Sequence, residues 1–315
     1  MISHPILTLT LNPALDMATE VAEIIPGHKL RCSEPQLDPG GGGLNVSRAI
    51  KALGGESLAL VAIGGLTGDR LAGLIRAEGV TFLAILGPGE TRQSLTVTEG
   101  ASGKQYRFML PGPLWGEAER ARVFTLLRST ARPGGLSVIS GSQPPGVPVD
   151  FPAALAASMP ESRVVLDTSG PALTEAVRRP IRGLDVLRMD GEEGEALAGR
   201  PLPSREATAE FAQSLVRAGV ARTVIVARGA EGNVLADQDQ RLFATAAKVQ
   251  VRSTVGAGDS FVAAYVLARS RGQPNAEALA LGSAAASAAV MSDATQLCRA
   301  EDVQRLLAEC VVSAV

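Results

Sequence analysis

Short β-branched runs alternate with segments of helical period along most of this 315-residue chain, and that alternation leaves few folds open. Successive strands separated by helices run parallel, because each helix carries the chain back across one face of the sheet. The fold class is therefore α/β, a mostly parallel sheet flanked by helices on both faces. Residues 6–11 read as the first strand. From Asn45 the apolar residues Val46, Ala49, Ile50 and Leu53 recur at helical spacing until Gly54-Gly55 ends the run. Strand and helix repeat at 58–63 and 71–78. Beyond Pro113 the pattern predicts a helix at 117–130, strands at 136–140, 163–167 and 185–189, a helix at 207–218 and a strand at 223–227. A hairpin at 234–245 and helices at 258–269, 276–291 and 303–310 complete the chain.

Two stretches break this pattern. Residues 94–99 and 105–110 alternate polar and apolar side chains around the turn Gly100-Ala-Ser-Gly103, as a half-exposed hairpin does. Residues 17–37 are similarly non-helical and half polar. The expectation is a single domain over 1–315 carrying a small β-sheet lid built from about 17–37 and 88–112.

A chain that is 46% hydrophobic and 20% charged buries a large core. Thirty Lys+Arg nearly balance 32 Asp+Glu, with no run of like charge and only seven Phe, two Tyr and one Trp, which disfavours a nucleic-acid partner. Three cysteines and two histidines make neither a disulfide framework nor a zinc site, so a cytoplasmic location is expected. The first 16 residues lack the marks of a secretory signal, and no apolar run is long enough to span a membrane.

The 34 glycines exceed the roughly 22 that average usage of about 7% supplies, and they cluster. In Arg252-Ser-Thr-Val-Gly-Ala-Gly-Asp-Ser260, Gly256, Ala257 and Gly258 can turn successive N–H groups into one concavity at a helix N-terminus, a cradle for phosphate. Asp259 in the same turn either accepts a proton from a hydroxyl nucleophile or caps the helix. In Pro39-Gly-Gly-Gly-Gly-Leu-Asn45, Gly41 and Gly42 would let a substrate approach the backbone, and Asn45 either meets sugar hydroxyls or caps its helix. A nicotinamide-binding loop is disfavoured, since no strand is expected before Gly40 and no acid ends the strand at 58–63. GxxxxGK[ST] is absent, which excludes a P-loop enzyme.

The segments Leu9-Thr-Leu-Asn-Pro-Ala-Leu-Asp16, 39–45, Ser140-Gly-Ser-Gln-Pro-Pro-Gly146 and 254–260 resemble, in order and spacing, those of the ribokinase-like sugar kinases, in the PfkB branch that phosphorylates sugar phosphates. Lys29-Leu-Arg-Cys32, the unbroken Gly40 to Gly43 and Gln105-Tyr-Arg-Phe108 are similar to the 6-phosphofructokinases of that branch. Its 1-phosphofructokinases and tagatose-6-phosphate kinases usually carry Gly-Gly-Lys-Gly instead. The resemblance implies a ribokinase-like fold and transfer of the ATP γ-phosphoryl group to fructose 6-phosphate with Mg²⁺. It further implies Asp259 as base, 256–258 as the anion hole, and Asp16, Gly41, Gly42, Asn45 and Ser142 as sugar contacts. Lys29, Arg31 and Arg92 would grip the sugar phosphate. Arg188, Asp190, Ala227, Gly229, Gly232, Gly258 and Ser287 would bind the nucleotide, Asp190 and Glu193 Mg²⁺, and Ser253 and Val255 K⁺. A homodimer through the lid, with phosphosugar and ATP as small-molecule partners, is also implied.

Three positions depart from the family pattern: Asp190 replaces Asn, Ala227 a hydroxyl residue, and Ser292-Asp-Ala294 the Asn-x-Gly of the cation loop. These departures keep a non-catalytic sugar-phosphate-binding protein open as a rival, beside the two sister kinases.

Overall fold

The computed structural model describes residues 4–293 and 295–315. The chain begins β1 (Ile6–Thr10), β2 (Ala14–Val21), β3 (Gln36–Gly40), α1 (Gly42–Ala52), β4 (Leu58–Ile63), α2 (Gly65–Ala77) and β5 (Phe82–Leu86). It continues β6 (Arg92–Glu99), β7 (Gln105–Met109), α3 (Glu117–Thr130), β8 (Leu136–Ser140), α4 (Phe151–Ala157), β9 (Arg163–Asp167) and α5 (Gly170–Arg178). Then come β10 (Val186–Met189), α6 (Gly191–Ala198), α7 (Arg205–Arg217), β11 (Thr223–Ala227), β12 (Gly232–Ala236) and β13 (Arg241–Thr245). The last elements are α8 (Ala257–Ser270), α9 (Asn275–Ala289), α10 (Ala300–Leu306) and β14 (Val312–Ala314).

The large sheet has the order β14-β13-β12-β11-β10-β9-β8-β1-β4-β5. From β5 to β11 every pair is parallel, and the last three strands add on antiparallel. Period-two alternation sends Leu9, Leu166, Leu187 and Val226 to one face and Val138, Val165, Val186 and Ile225 to the other, so both faces are apolar and both need helices. Helix α8 is buried on nearly all sides between the sheet and α9. Gly282 makes that packing possible, because a Cβ there would meet the Phe261 ring at 2.8 Å.

The small sheet, β3-β2-β6-β7, includes the expected hairpin of β6 and β7. It starts at Ala14 and runs through Gly40, wider than 17–37, because Asp16 and Gly40 are themselves paired strand residues. A strand therefore does precede the four-glycine loop, contrary to expectation. It runs antiparallel to β2 outside the main sheet, so the loop is still not the first turn of a dinucleotide-binding unit. The short helices α4, α5 and α6, the edge strand β5 and the three-residue β14 had no sequence counterpart. In α4 and α5 a proline occupies the first turn, and α4 and α6 are too short to show a period.

Candidate active site

Strand β1 lies inside the sheet, and the chain builds outward from it in two directions, through β4 to β5 and through β8 to β11. The C-terminal ends of β1 and β8 diverge at this switch point and leave a crevice. Asn12 follows β1, Ser140 to Ser142 end β8, Asp167 ends β9, Asp190 follows β10 and Ala227 ends β11.

The four-glycine loop joins β3 to α1 across this crevice. A Cβ on Gly40 would lie 2.8 Å from Asp16 Oδ1, on Gly41 2.9 Å from Pro13 Cα, on Gly42 2.6 Å from the Gly141 nitrogen, and on Gly43 2.8 Å from Thr10 Oγ1. On the side where a Cβ would point, the loop is therefore packed against the protein itself. The glycines let β1, β2 and β8 crowd against the loop, and Gly41, at φ 116°, also needs glycine for its backbone.

Gly41, not Asn45, is the N-cap of α1. Asn45 is held inside the helix: Arg48 Nη1 donates to its Oδ1 at 3.2 Å and to the Pro39 carbonyl at 2.7 Å, while Glu78 grips Arg48 from the far side. So fixed, Asn45 Nδ2 donates to Asp259 Oδ2 at 2.9 Å and joins the two glycine clusters.

Asp259 does not cap α8 either. Gly256, left-handed at φ 74°, is the N-cap, and Asp259 stands in the first turn behind Ala257 and Gly258. Burial pushes its carboxyl up to about 7 and the neighbouring Asp167 adds to the rise, while Asn45 and Arg188 oppose it. Arg188 Nη1 donates to Asp167 Oδ1 at 3.2 Å and Ser140 Oγ to Asp167 Oδ2 at 2.9 Å. The Arg188 guanidinium lies 2.9 Å from where a Gly258 Cβ would be, and its buried Nε has no hydrogen-bond partner among the described residues. A carboxylate poised near neutrality, beside a guanidinium and free helix N–H groups, can take a proton from an alcohol while the donors meet an anion.

Behind this turn opens a cavity of about 1070 Å³, whose walls include Arg188, Asp190, Ala227, Gly229, Gly258 and Ser287. Gly232 does not line it. That residue starts β12 buried, at φ 137°, where a Cβ would lie 3.0 Å from the Ala246 nitrogen. The Ser287 hydroxyl is already engaged, donating to the Ser283 carbonyl at 2.9 Å and accepting from the Ala247 N–H at 3.1 Å. It pins one wall to α9.

Asp190 and Glu193 are adjacent and form a reciprocal cap on α6. Asp190 Oδ1 accepts from the Glu193 N–H at 2.8 Å and Glu193 Oε2 from the Asp190 N–H at 2.9 Å. Burial raises the Glu193 carboxyl, and the charges of Asp190 and Asp167 add to it. Each capping carboxylate keeps one uncommitted oxygen in an acid-rich neighbourhood. Among the described residues no three acidic, His or Cys side chains converge as a metal cluster. The oxygen donors of Asp190 and Glu193 are of the chemistry that holds a hard cation such as Mg²⁺ through its water shell. Ser253 is buried beside α8, its hydroxyl accepting from the Val255 N–H at 3.2 Å and donating to Gln105 Oε1 of the small sheet at 3.4 Å. Ala294, in the segment where a cation loop was expected, lies outside the described residues.

On the other side of the crevice, Asp16 accepts from the Ser94 hydroxyl, and burial raises its carboxyl against the pull of Ser94 and Arg92. Arg92 Nε donates to the Asn12 carbonyl at 3.2 Å, and Asn12 Nδ2 to Ser142 Oγ at 3.1 Å, so these three side chains are brought together. Lys29 and Arg31 are not drawn in. They are exposed on the link between β2 and β3 and form no hydrogen bond or ion pair with the described residues, because that link is solvated and carries no packing face. Sequence reasoning missed Asp167, Asn12 and Arg48. For Asp167 a signal existed, an acid at the C-terminal end of a buried strand.

An acid in a glycine-rich helix N-terminus at the switch point of such a sheet is an arrangement suited to phosphoryl transfer onto a hydroxyl, and comparison with known proteins makes the chain a phosphotransferase acting on a sugar hydroxyl. The chain belongs to the pfkB family of carbohydrate kinases, whose sequence profile matches residues 11–302. It is 38% identical to ATP-dependent 6-phosphofructokinase isozyme 2 of Escherichia coli over 305 residues, 96% of this chain and 98% of that one. To the 1-phosphofructokinase of Xanthomonas campestris it is 33% identical over 265 residues, 83% of each chain. A crystal structure of phosphofructokinase-2 from Escherichia coli in complex with fructose-6-phosphate superposes with a TM-score of 0.90 at 36% identity, covering 98% of this chain and 99% of that one. The ribokinase-like fold and the kinase class expected from the motifs are thereby established, and the nicotinamide reading is set aside.

Proposed function

We propose that this kinase transfers the γ-phosphoryl group of ATP to the 1-hydroxyl of fructose 6-phosphate, with Asp259 as general base. The observation that carries the reading is the Asn45–Asp259 hydrogen bond. It holds a carboxyl of pKa about 7 between the sugar-side crevice and the large cavity, in front of three helix N–H groups. The sugar lies over the four-glycine loop, with Arg92 and Ser142 at one end and Asn45 at the other. The nucleotide fills the cavity, its phosphates at Gly256 to Gly258 and Arg188. Asp259 removes the hydroxyl proton as the alkoxide oxygen bonds to the γ-phosphorus and the bond to the β-phosphate oxygen breaks, releasing ADP. Arg188 and the α8 N–H groups stabilise the charge on the transferring group.

When bound, Mg²⁺ neutralises charge on the nucleotide phosphates. Asp190 and Glu193 would hold it through its water shell, and K⁺ would take the loop at Ser253 and Val255. Because Asn caps a helix as well as Asp does, Asp190→Asn should leave the melting temperature unchanged while raising the Mg²⁺ concentration for half-maximal rate about tenfold. An unchanged Mg²⁺ requirement would remove Asp190 from the metal's surroundings.

The small sheet acts as a lid that excludes water, tied to the anion turn through Gln105 and Ser253. Its strand β7 exposes Tyr106, Phe108 and Met109, with Leu110 just beyond, an apolar surface suited to a second copy in a homodimer. The chain's similarity to 1-phosphofructokinases supports a second reading, with fructose 1-phosphate as substrate. Release of ADP by the purified protein with fructose 6-phosphate, fructose 1-phosphate and tagatose 6-phosphate separates the two. Fructose 6-phosphate should give the highest kcat/KM, and preference for either other sugar would overturn the assignment.

A further inference from the structure

Along α8 the large cavity changes character. Near Gly258 it is polar, with Arg188 and Asp190. One turn further along α8 comes Phe261, and the lining also takes in Ala246, Ala247, Val249, Ala286 and Val290, an apolar stretch bordered by Lys248. Three buried polar side chains, Asn233, Ser283 and Ser287, interrupt that apolar stretch. Asn233, 6% exposed on β12, donates from Nδ2 to the hydroxyl of fully buried Ser283 on α9 at 2.9 Å. Burying an amide in an apolar slot is costly unless its groups are used. Ser283 satisfies one N–H. The carbonyl oxygen and the second N–H form no other hydrogen bond to a described residue, and the neighbouring Ser287 hydroxyl is already engaged on both sides.

We propose that Asn233, braced by Ser283, reads the nucleobase and favours adenine over guanine. The inference rests on the reading that this cavity takes the nucleotide, with its phosphates at the α8 turn and its base at the apolar end. The brace orients the amide so that Oδ1 accepts from the exocyclic amine of adenine while the second N–H reaches an adjacent ring nitrogen. Guanine presents a carbonyl oxygen where adenine has that amine, and two acceptors then face each other. A side-chain amide used this way discriminates between bases by about 1–3 kcal/mol in nucleic-acid recognition, a factor of roughly 5 to 150.

Calorimetric titration of the full chain with ADP and with GDP tests this. Wild-type protein should prefer ADP. Asn233→Ala should weaken ADP about tenfold and leave GDP unchanged, and Ser283→Ala, a smaller change that removes only the brace, should narrow the preference in the same direction. Equal weakening of both nucleotides, or an unchanged ADP to GDP ratio in either variant with a wild-type melting temperature, overturns the assignment of Asn233. If Asn233→Ala does not fold, the ratio in Ser283→Ala decides. Wild-type protein that binds neither nucleotide overturns the ATP reading itself, a separate result.

Discussion

Asp259→Ala and Asp259→Asn should bind both substrates nearly as the wild type does and lose on the order of 10² to 10⁴ in turnover, the usual worth of a positioned general base. Turnover equal to wild type in either variant would sink the proposed role. The same residue predicts the pH dependence. Only the ionised carboxylate accepts a proton, so the wild-type rate should rise with pH through about 7, where burial and Asp167 place the group. The stability of the fold should move the opposite way. The carboxyl's pKa is raised well above that of an ordinary aspartate, so the folded state holds the proton more tightly than the unfolded chain does. Stability from this group is full below about pH 4 and is lost as pH climbs through 7. Asp259→Asn keeps an acceptor for Asn45 and cannot ionise. It should therefore melt higher than wild type at pH 8, by up to a few kcal/mol, and match it at pH 4. A merely structural aspartate would show no such trade between rate and stability.

Gly42→Ala should be nearly as damaging by a different route. The new methyl would lie 2.6 Å from the Gly141 nitrogen and 2.8 Å from its Cα, and backbone cannot yield as a side chain tip can. Overpacking of this kind costs roughly 1–3 kcal/mol, and the strain falls between β8 and the N-terminus of α1, where Asn45 is aimed at Asp259. We expect a lower melting temperature together with a more than tenfold fall in turnover. Gly73→Ala is the control. Gly73 is exposed in the middle of α2 with nothing within 4 Å of its Cβ position, so alanine there should stabilise by up to about 1 kcal/mol and leave turnover alone. If Gly42→Ala behaves like Gly73→Ala, the loop is looser than its packing implies.

These two predictions mark where sequence reasoning ended. The Gly-Ala-Gly-Asp turn was legible because left-handed backbone and free N–H groups at a helix N-terminus are local properties of a few residues. The role of the four glycines was not. Their neighbours Thr10, Asp16 and Gly141 come from β1, β2 and the end of β8, and nothing local to the loop reveals who occupies a missing side chain's place. Lys29, Arg31 and Arg92 were all expected at the sugar phosphate, Arg92 first among them for its guanidinium, and only Arg92 sits on a paired strand that carries it to Asn12.

The α/β class, the family motifs and the longer strands and helices were legible in the chain itself, since hydrophobic period and turn chemistry act over a few residues, while short elements such as α4 to α6 and β5 were not. Folding alone decided that Asn45 would meet Asp259 across 214 positions and that Asp167 would stand close enough to raise its neighbour's proton affinity. Desolvation and Coulomb interactions depend on distance through space, and separation along the chain does not encode it.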